Sequence, residues 1–323
     1  MEYTRLGSTG LKVSRITLGC MSFGDRSTGW NEWSLGYDDA LPIIRHAFEL
    51  GISFWDTANI YSLGTSEEIV GRAMRELTRR EDIVLATKVN FTMHDGPGGS
   101  GLSRRAIMEN IDASLKRLGT DFVDLYQIHR FDPETPVEET MEALHDVVKA
   151  GKARYIGASS MWAWQFAKLQ HAADLGGWTR FVSMQNQYSL MMREDERELF
   201  PLLADQEVGS IPWSPLGKGR LTRPWGQQSS QRGQTDPLQS RYVQDLDEPI
   251  ADAVERVAAN RGIPMAQVAL AWVLRNPVVD APIVGASKVA HLDDAVAALD
   301  VELTDDEVAA LEAPYRLRMP TGY

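Results

Sequence analysis

The sequence predicts an α/β fold, a (β/α)8 TIM barrel with an N-terminal β-hairpin ahead of it and extra C-terminal helices behind it. Three observations carry that expectation. Mostly short apolar strands alternate with amphipathic helical stretches eight times along 323 residues, which a closed barrel explains better than an open sheet. Helix-start and helix-stop signals punctuate the units. No stretch has the composition of a linker between domains, so residues 1–323 are expected to form one barrel domain.

In chain order, residues 2–6 and 11–14 flank a turn at 7–10 and make the hairpin. Residues 16–19 are the first short apolar strand, and 39–50 carry Leu41, Ile44 and Phe48 on one helical stripe. Gly51 closes that helix, and 53–56 is the second strand. Thr65 and Glu68 have capping-box spacing at the start of a helix whose inward face is Ile69, Val70, Ala73, Met74 and Leu77. The unit repeats with strands at 83–88 and 123–129, the first followed by a helix capped by Ser103 with Ile107, Ile111, Leu115 and Leu118 inward. Thr135, Pro136 and Glu138 open the next helix with a cap, a first-turn proline and a capping-box acid. Strands at 154–159, 181–185, 209–213 and 281–284 complete the set, with helices at about 162–175, 194–206, from 248, and around Leu292, Val296 and Leu299. A helical segment at 264–275 and a terminal helix opened by Thr304 and Glu307 lie outside the eightfold pattern. The polar connection 216–247 is expected to be a mobile loop over the barrel mouth.

Composition narrows the function. A formal charge of −12 argues against nucleic acid or an acidic membrane as the main partner. No apolar run reaches the ~18 residues of a membrane span, and the start, MEYTRLGSTG, has no leader-like pattern. The single cysteine, Cys20, excludes an internal disulfide and a cysteine-cluster metal site. Together these point to a cytoplasmic protein, and the charge still allows an anionic small ligand where a few cations gather locally.

The strand ends supply the chemistry. Strand two ends in Asp56, strand three in Lys88 and strand four in His129, while Tyr61 lies in the loop after strand two. Adjacent strands are about 5 Å apart, so the four groups can share one side of the mouth, where ligands of such barrels bind. Taken singly, each has an ordinary explanation: a helix cap, a solvated strand end, a core imidazole and a packing ring. Taken together, they suit reduction of a carbonyl, whose oxygen gains negative charge and needs a proton donor and hydrogen-bond donors. A phenol, with a pKa of about 10, is a weak acid, and a neighbouring ammonium favours its ionisation. Tyr61 is then the donor, Lys88 its ammonium and Asp56 the group holding Lys88. His129 orients the carbonyl and is able to relay the proton.

In order, spacing and context, Asp56, Tyr61, Lys88 and His129 match the tetrad of the aldo-keto reductases, which the chain resembles from its hairpin nearly to its last helix. The resemblance implies a carbonyl-reducing oxidoreductase that takes a nicotinamide cofactor, usually NADPH, without a Rossmann domain, and no GxGxxG follows a strand. It also implies cofactor positions. Ser159 and Ser160, in IGASS, and Gln185, in VSMQNQY, would hold the carboxamide. Trp213 takes the place of a frequent tyrosine that stacks on the nicotinamide, and Ser214, Leu216, Gly217 and Lys218 would line the pyrophosphate. Ser287 and Lys288 would approach the adenosine 2′-phosphate, with His291 and Asp294 beside the adenine. This chain departs from the family's common pattern at Ser160, His291, Asp294 and Ala295. Lys288 is the local cation that favours NADP, and no metal is required.

Met21, Trp30, Trp33, Phe91 and Trp162 lie near the mouth-side loops, where they would either form a pocket for aryl or medium-length carbonyl compounds or pack the loops onto the barrel. The stretch SPLGKGRLTRPWG resembles a bacterial-type subgroup, and its Arg220 and Arg223 would hold a charged substrate or cofactor, or simply face solvent. Two other classes compete: a nicotinamide-sensing regulatory subunit with little turnover, and a metal-dependent hydrolase using Asp56, His94 and His129. The complete tetrad favours the enzyme over the first. Lys88 beside the metal position and the lack of a His-x-His pattern argue against the second. The sequence leaves oligomeric state and physiological substrate open.

Overall fold

The structure is a computed structural model that describes residues 1–29, 31–227 and 246–320. The chain opens with an antiparallel hairpin, β1 (Tyr3–Arg5) and β2 (Lys12–Ser14), in which Tyr3 faces Ser14. The eight parallel strands that follow are β3 (Thr17–Gly19), β4 (Phe54–Asp56), β5 (Val84–Val89), β6 (Val123–Ile128), β7 (Ala153–Ser159), β8 (Phe181–Gln185), β9 (Gly209–Ser210) and β10 (Ile283–Gly285). They pair in sequence order, and β10 pairs with β3. Parallel bridges Ser210 to Val279 and Trp213 to Ile283 close the remaining gap, completing the (β/α)8 barrel.

Ten α-helices clothe it among the described residues: α1 (Tyr37–Glu49), α2 (Thr65–Leu77), α3 (Arg104–Leu118), α4 (Val137–Lys149), α5 (Ala163–Gly176), α6 (Leu199–Asp205), α7 (Glu248–Arg261), α8 (Met265–Leu274), α9 (Ala290–Ala297) and α10 (Asp305–Glu312). The predicted helix at 194–206 is a 3₁₀ turn (Glu194–Glu196) followed by the shorter α6. None of the helices is long and apolar enough to cross a membrane.

Strand alternation builds the interior in layers. The floor consists of Phe54, Ala86, Leu125, Ile211 and Ala281, plugged from below by the hairpin's Leu6 and Val13. The plug is tied down where Gly7 N–H donates to Asp280 Oδ2 at 2.7 Å. Gly7 has a φ of +54°, and a Cβ there would lie 2.7 Å from the Glu207 carbonyl oxygen, so glycine is required. Two residues further along the same strand faces come Asp56, Lys88 and Gln127, with Gln185 two beyond Ser183. The apolar floor thus gives way to a polar layer at the carboxyl ends.

Two predicted caps are not formed. Gly64, with a φ of +95°, precedes α2, and no side chain caps it. Thr65 Oγ1 instead accepts from Asp25 N–H at 2.9 Å and donates to the Ser62 carbonyl at 3.0 Å. Thr135 Oγ1 donates to Asp132 Oδ2 at 2.7 Å, and Pro136 is the N-cap of α4. Ser103 and Thr304 cap α3 and α10 as the sequence predicts.

Candidate active site

Asp56 closes β4, and Lys88 lies in β5 next to Gln127 of β6 in register. His129 follows β6, and its N–H donates to the Val89 carbonyl at 2.8 Å. The Lys88 ammonium is fully buried and donates to Asp56 Oδ2 at 2.5 Å, to the Thr57 carbonyl at 2.8 Å and to the Tyr61 hydroxyl at 3.3 Å. The other carboxylate oxygen, Asp56 Oδ1, accepts from Gln127 Nε2 and Gln185 Nε2, both at 2.9 Å. The Tyr61 and His129 rings meet edge-on, with centroids 5.8 Å apart, and the Phe91 ring also packs against His129, with centroids 4.7 Å apart. The structure therefore brings together all four residues that the strand ends suggested.

Tyr61 is delivered by a turn of unusual hand. Ser62 and Leu63 have φ values of +46° and +52°, costing roughly 1 kcal/mol each or more. The Ser62 hydroxyl is buried 3.4 Å from Ser34 Oγ, and a Cβ on Gly24 would collide with it, so the loop after β3 is moulded onto this turn.

Burial sets the protonation states. It pushes the Tyr61 phenol above its ordinary value; Lys88 pulls down and Asp56 adds to the rise, with the net direction up. Lys88 thus acts in the direction the sequence suggests, and burial outweighs it. Burial opposes the charge on Lys88, but Asp56 and Tyr61 outweigh it and hold the ammonium above the usual lysine range. His129 is driven well below the imidazole range by burial, reinforced by Lys88 and Arg130, so it is neutral at pH 7. Its Nδ1 is buried without a hydrogen-bond partner. At the heart of the site are therefore a protonated phenol, a charged lysine and a neutral histidine.

The residues implied for a dinucleotide lie around the rim. The Ser159 hydroxyl donates to the Gln185 carbonyl at 2.9 Å, and Trp213 Nε1 donates to Ser160 Oγ at 2.9 Å, so Ser159, Ser160, Gln185 and Trp213 form one cluster. Gln185 spends its amide nitrogen inward on Asp56 and on Gln127 Oε1, at 2.9 and 3.1 Å. Ser214, Gly217 and Lys218 adopt φ values of +54°, +56° and +57°, and the Lys218 ammonium stands 5.7 Å over the Trp213 ring. After β10, Ser287 N–H donates to His291 Nδ1 at 3.4 Å, and Lys288 is exposed. Burial and then Lys288 lower the His291 imidazole, Asp294 opposing and Arg223 adding to the fall, so Lys288, Asp294 and Arg223 share its neighbourhood. Asp294 accepts from Gln267 Nε2 at 3.0 Å and is engaged by α8. Hydroxyl and amide groups beside the tetrad, left-handed turns beyond them and the Lys288 cation after β10 are a donor set that fits a nicotinamide dinucleotide.

Some residues sit differently from expectation. Arg220 is buried and paired with Asp247, so it is neither a surface group nor open to substrate. Trp33 is buried, whereas Phe91 and Trp162 are 37% and 39% exposed. Met21 packs beside Ala58, Ile60 and Tyr61. Trp30 and most of the 216–247 connection lie outside the described residues. Gln127 and Arg130 were not anticipated. The only signal for Gln127 was a polar residue inside an apolar strand, two positions before His129.

Against this geometry, a family model described as the Aldo/keto reductase family matches residues 15–316. The chain is 48% identical to the versiconal hemiacetal acetate reductase of Aspergillus parasiticus, over 98% of this chain and 97% of that protein. It is 44% identical to an aldo-keto reductase of Fusarium vanettenii, over 100% of this chain and 93% of that protein. An aldo-keto reductase of Alternaria alternata is 43% identical over 99% and 93% of the two chains. Near end-to-end similarity, the barrel and the convergence at its mouth lead to one conclusion: the chain belongs to the aldo/keto reductase family and is an NAD(P)H-dependent oxidoreductase of small carbonyl compounds.

Proposed function

We propose that residues 1–323 form one catalytic domain that uses NADPH to reduce aldehydes and ketones to alcohols, with Tyr61 as proton donor, in the cytoplasm. The observation that carries the reading is the buried Lys88 ammonium, 2.5 Å from Asp56 and 3.3 Å from the Tyr61 hydroxyl. The net charge of −12 and single cysteine are in keeping with a cytoplasmic enzyme.

A nicotinamide cofactor supplies the hydride when bound. Ser159, Ser160 and Gln185 would hold its carboxamide and Trp213 its ring. Ser214, Leu216, Gly217 and Lys218 would hold the pyrophosphate; Ser287, Lys288, His291 and Asp294 would hold the adenosine end. As the carbonyl oxygen gains negative charge, Tyr61 gives it the phenolic proton. The resulting phenolate is stabilised by Lys88, which Asp56 keeps charged and in place. Neutral His129 offers a ring N–H to the same oxygen, and Phe91 fixes the plane of its ring. Asp56 is itself held by Gln127 and Gln185, so the base of the site is already organised before substrate arrives.

Lys288 and Arg223 support a preference for the 2′-phosphate of NADPH. Phe91, Trp162 and Met21 support aryl and medium-length carbonyl substrates. The test is multiple turnover: loss of NADPH absorbance with a panel of aryl and alkyl aldehydes and ketones. Sustained consumption faster with NADPH than NADH is expected; a single equivalent consumed, or none, overturns the reading.

A further inference from the structure

Arg220, Asp247 and Arg318 form a second buried charge cluster, 7%, 0% and 9% exposed. Arg220 Nη1 pairs with Asp247 Oδ2, and Arg318 Nη1 donates to Asp247 Oδ1 at 2.5 Å. Arg220 also reaches back, its Nε donating to the Gly217 carbonyl at 2.9 Å. That carbonyl belongs to a turn in which Gly217 and Lys218 are left-handed, with φ values of +56° and +57°. A continuous chain of charge-assisted bonds thus runs from the C-terminal tail, through the start of α7, to this turn.

The way the tail docks is informative. Leu317 and Met319 are 68% and 71% exposed, while Arg318 between them is buried, so the tail is held here by the Arg318 guanidinium and by its backbone N–H, which donates to Glu194 Oε1 at 3.0 Å, and not by its apolar neighbours. Arg318 Nε and Nη2 are buried without a hydrogen-bond partner. Both guanidiniums pair with the Asp247 carboxylate, and Arg220 is lowered by burial and, in addition, by Arg318, despite Asp247. The cluster is bonded to the turn at 216–218, so its placement bears directly on the geometry of that turn.

We propose that Arg318 is a positioning residue for the cofactor: through Asp247 and Arg220 it fixes the turn at 216–218 in the form that receives the pyrophosphate of a nicotinamide dinucleotide. This rests on the cofactor reading above. Linkage makes the effect reciprocal, so bound dinucleotide holds the tail down as firmly as the tail promotes binding.

The experiment measures dissociation constants for NADPH and NADH by tryptophan fluorescence in the full-length chain, for wild type, Arg318→Met and Arg318→Lys. Arg318→Met is expected to weaken both cofactors alike, by about tenfold, as expected for moderate coupling, with Arg318→Lys intermediate. Lys288→Ala serves as the contrast, because loss of a 2′-phosphate contact weakens NADPH alone. Trypsin, which cuts after Arg316 and Arg318, supplies a second readout on the unmutated protein: saturating NADP is expected to slow loss of the tail severalfold, followed by mass spectrometry. Wild-type affinity for both cofactors in a folded Arg318→Met overturns the proposal, as does a tail cleavage rate indifferent to NADP. If Arg318→Met does not fold, the cleavage rate decides. If the wild type binds neither cofactor, the cofactor reading fails first.

Discussion

Replacing Lys88 by Met removes the cation on which the site is built while keeping most of the side chain's volume. Three hydrogen bonds are lost, to Asp56, Thr57 and Tyr61, from a position with no solvent access. Asp56, 2% exposed, keeps its two glutamine donors but no counter-charge, and the buried Thr57 carbonyl loses the lysine as donor. Breaking a buried pair in this way costs about 3–5 kcal/mol, a large part of a typical stability of about 5–15 kcal/mol. In Asp56→Asn/Lys88→Met no charge remains, and the asparagine oxygen can still accept from Gln127 and Gln185. The double variant should therefore recover much of the loss, leaving a deficit of about 1–3 kcal/mol. Urea unfolding of the cofactor-free protein at pH 7, on wild type, both single variants and the double, measures the coupling directly. The expected shortfall from additivity is about 2–4 kcal/mol. Additivity to within about 0.5 kcal/mol would refute the claim that the two residues act as a buried pair.

Other predictions follow from particular residues. Burial raises the Asp280 carboxyl to about 6, so the folded state binds this proton more tightly than the unfolded chain. Its stabilisation is complete below about pH 4 and is lost as pH rises through about 6, an effect of roughly 3 kcal/mol that Asp280→Asn should abolish. Urea midpoints at pH 4.5 and 7.5 check this, and a wild-type to variant difference that is flat with pH would contradict it. Leu63 is 47% exposed at a φ of +52°, so Leu63→Gly should stabilise by about 1 kcal/mol in thermal unfolding; a loss would mean that the side chain holds the turn. Lys288→Ala should weaken NADPH binding about tenfold and leave NADH unchanged, measured by fluorescence titration; equal effects on both would remove Lys288 from the 2′-phosphate.

The barrel and the tetrad were legible because both are local signals. Apolar runs mark strands, and a residue at the end of a run is placed by the run itself, so Asp56, Lys88 and His129 could be located without knowing any pairing. The partners of those residues were not legible. Gln127 is an ordinary polar residue until register sets it beside Lys88, and its bond to Asp56 spans 71 positions. Arg220 and Arg318 reach Asp247 across 27 and 71 positions, and nothing local distinguishes either from a surface arginine. The Thr65 to Glu68 spacing suggested a capping box because the sequence does not reveal that Ser62 and Leu63 turn left-handed, which carries Gly64 into the capping position. Nor could the phenol's acidity be read from its neighbours, since complete burial of Tyr61 outweighs the ammonium beside it.

The most direct test of the central claim is single-turnover reduction of an aryl aldehyde by Tyr61→Phe preloaded with NADPH. The ring, the left-handed turn and the Lys88 to Asp56 pair are retained, and only the hydroxyl 3.3 Å from the lysine is removed. A fall of at least about 10²-fold in the chemical step, with NADPH affinity unchanged, is the result expected of a lost proton donor. A rate near that of the wild type would contradict the account and return the search to the other acids at the mouth.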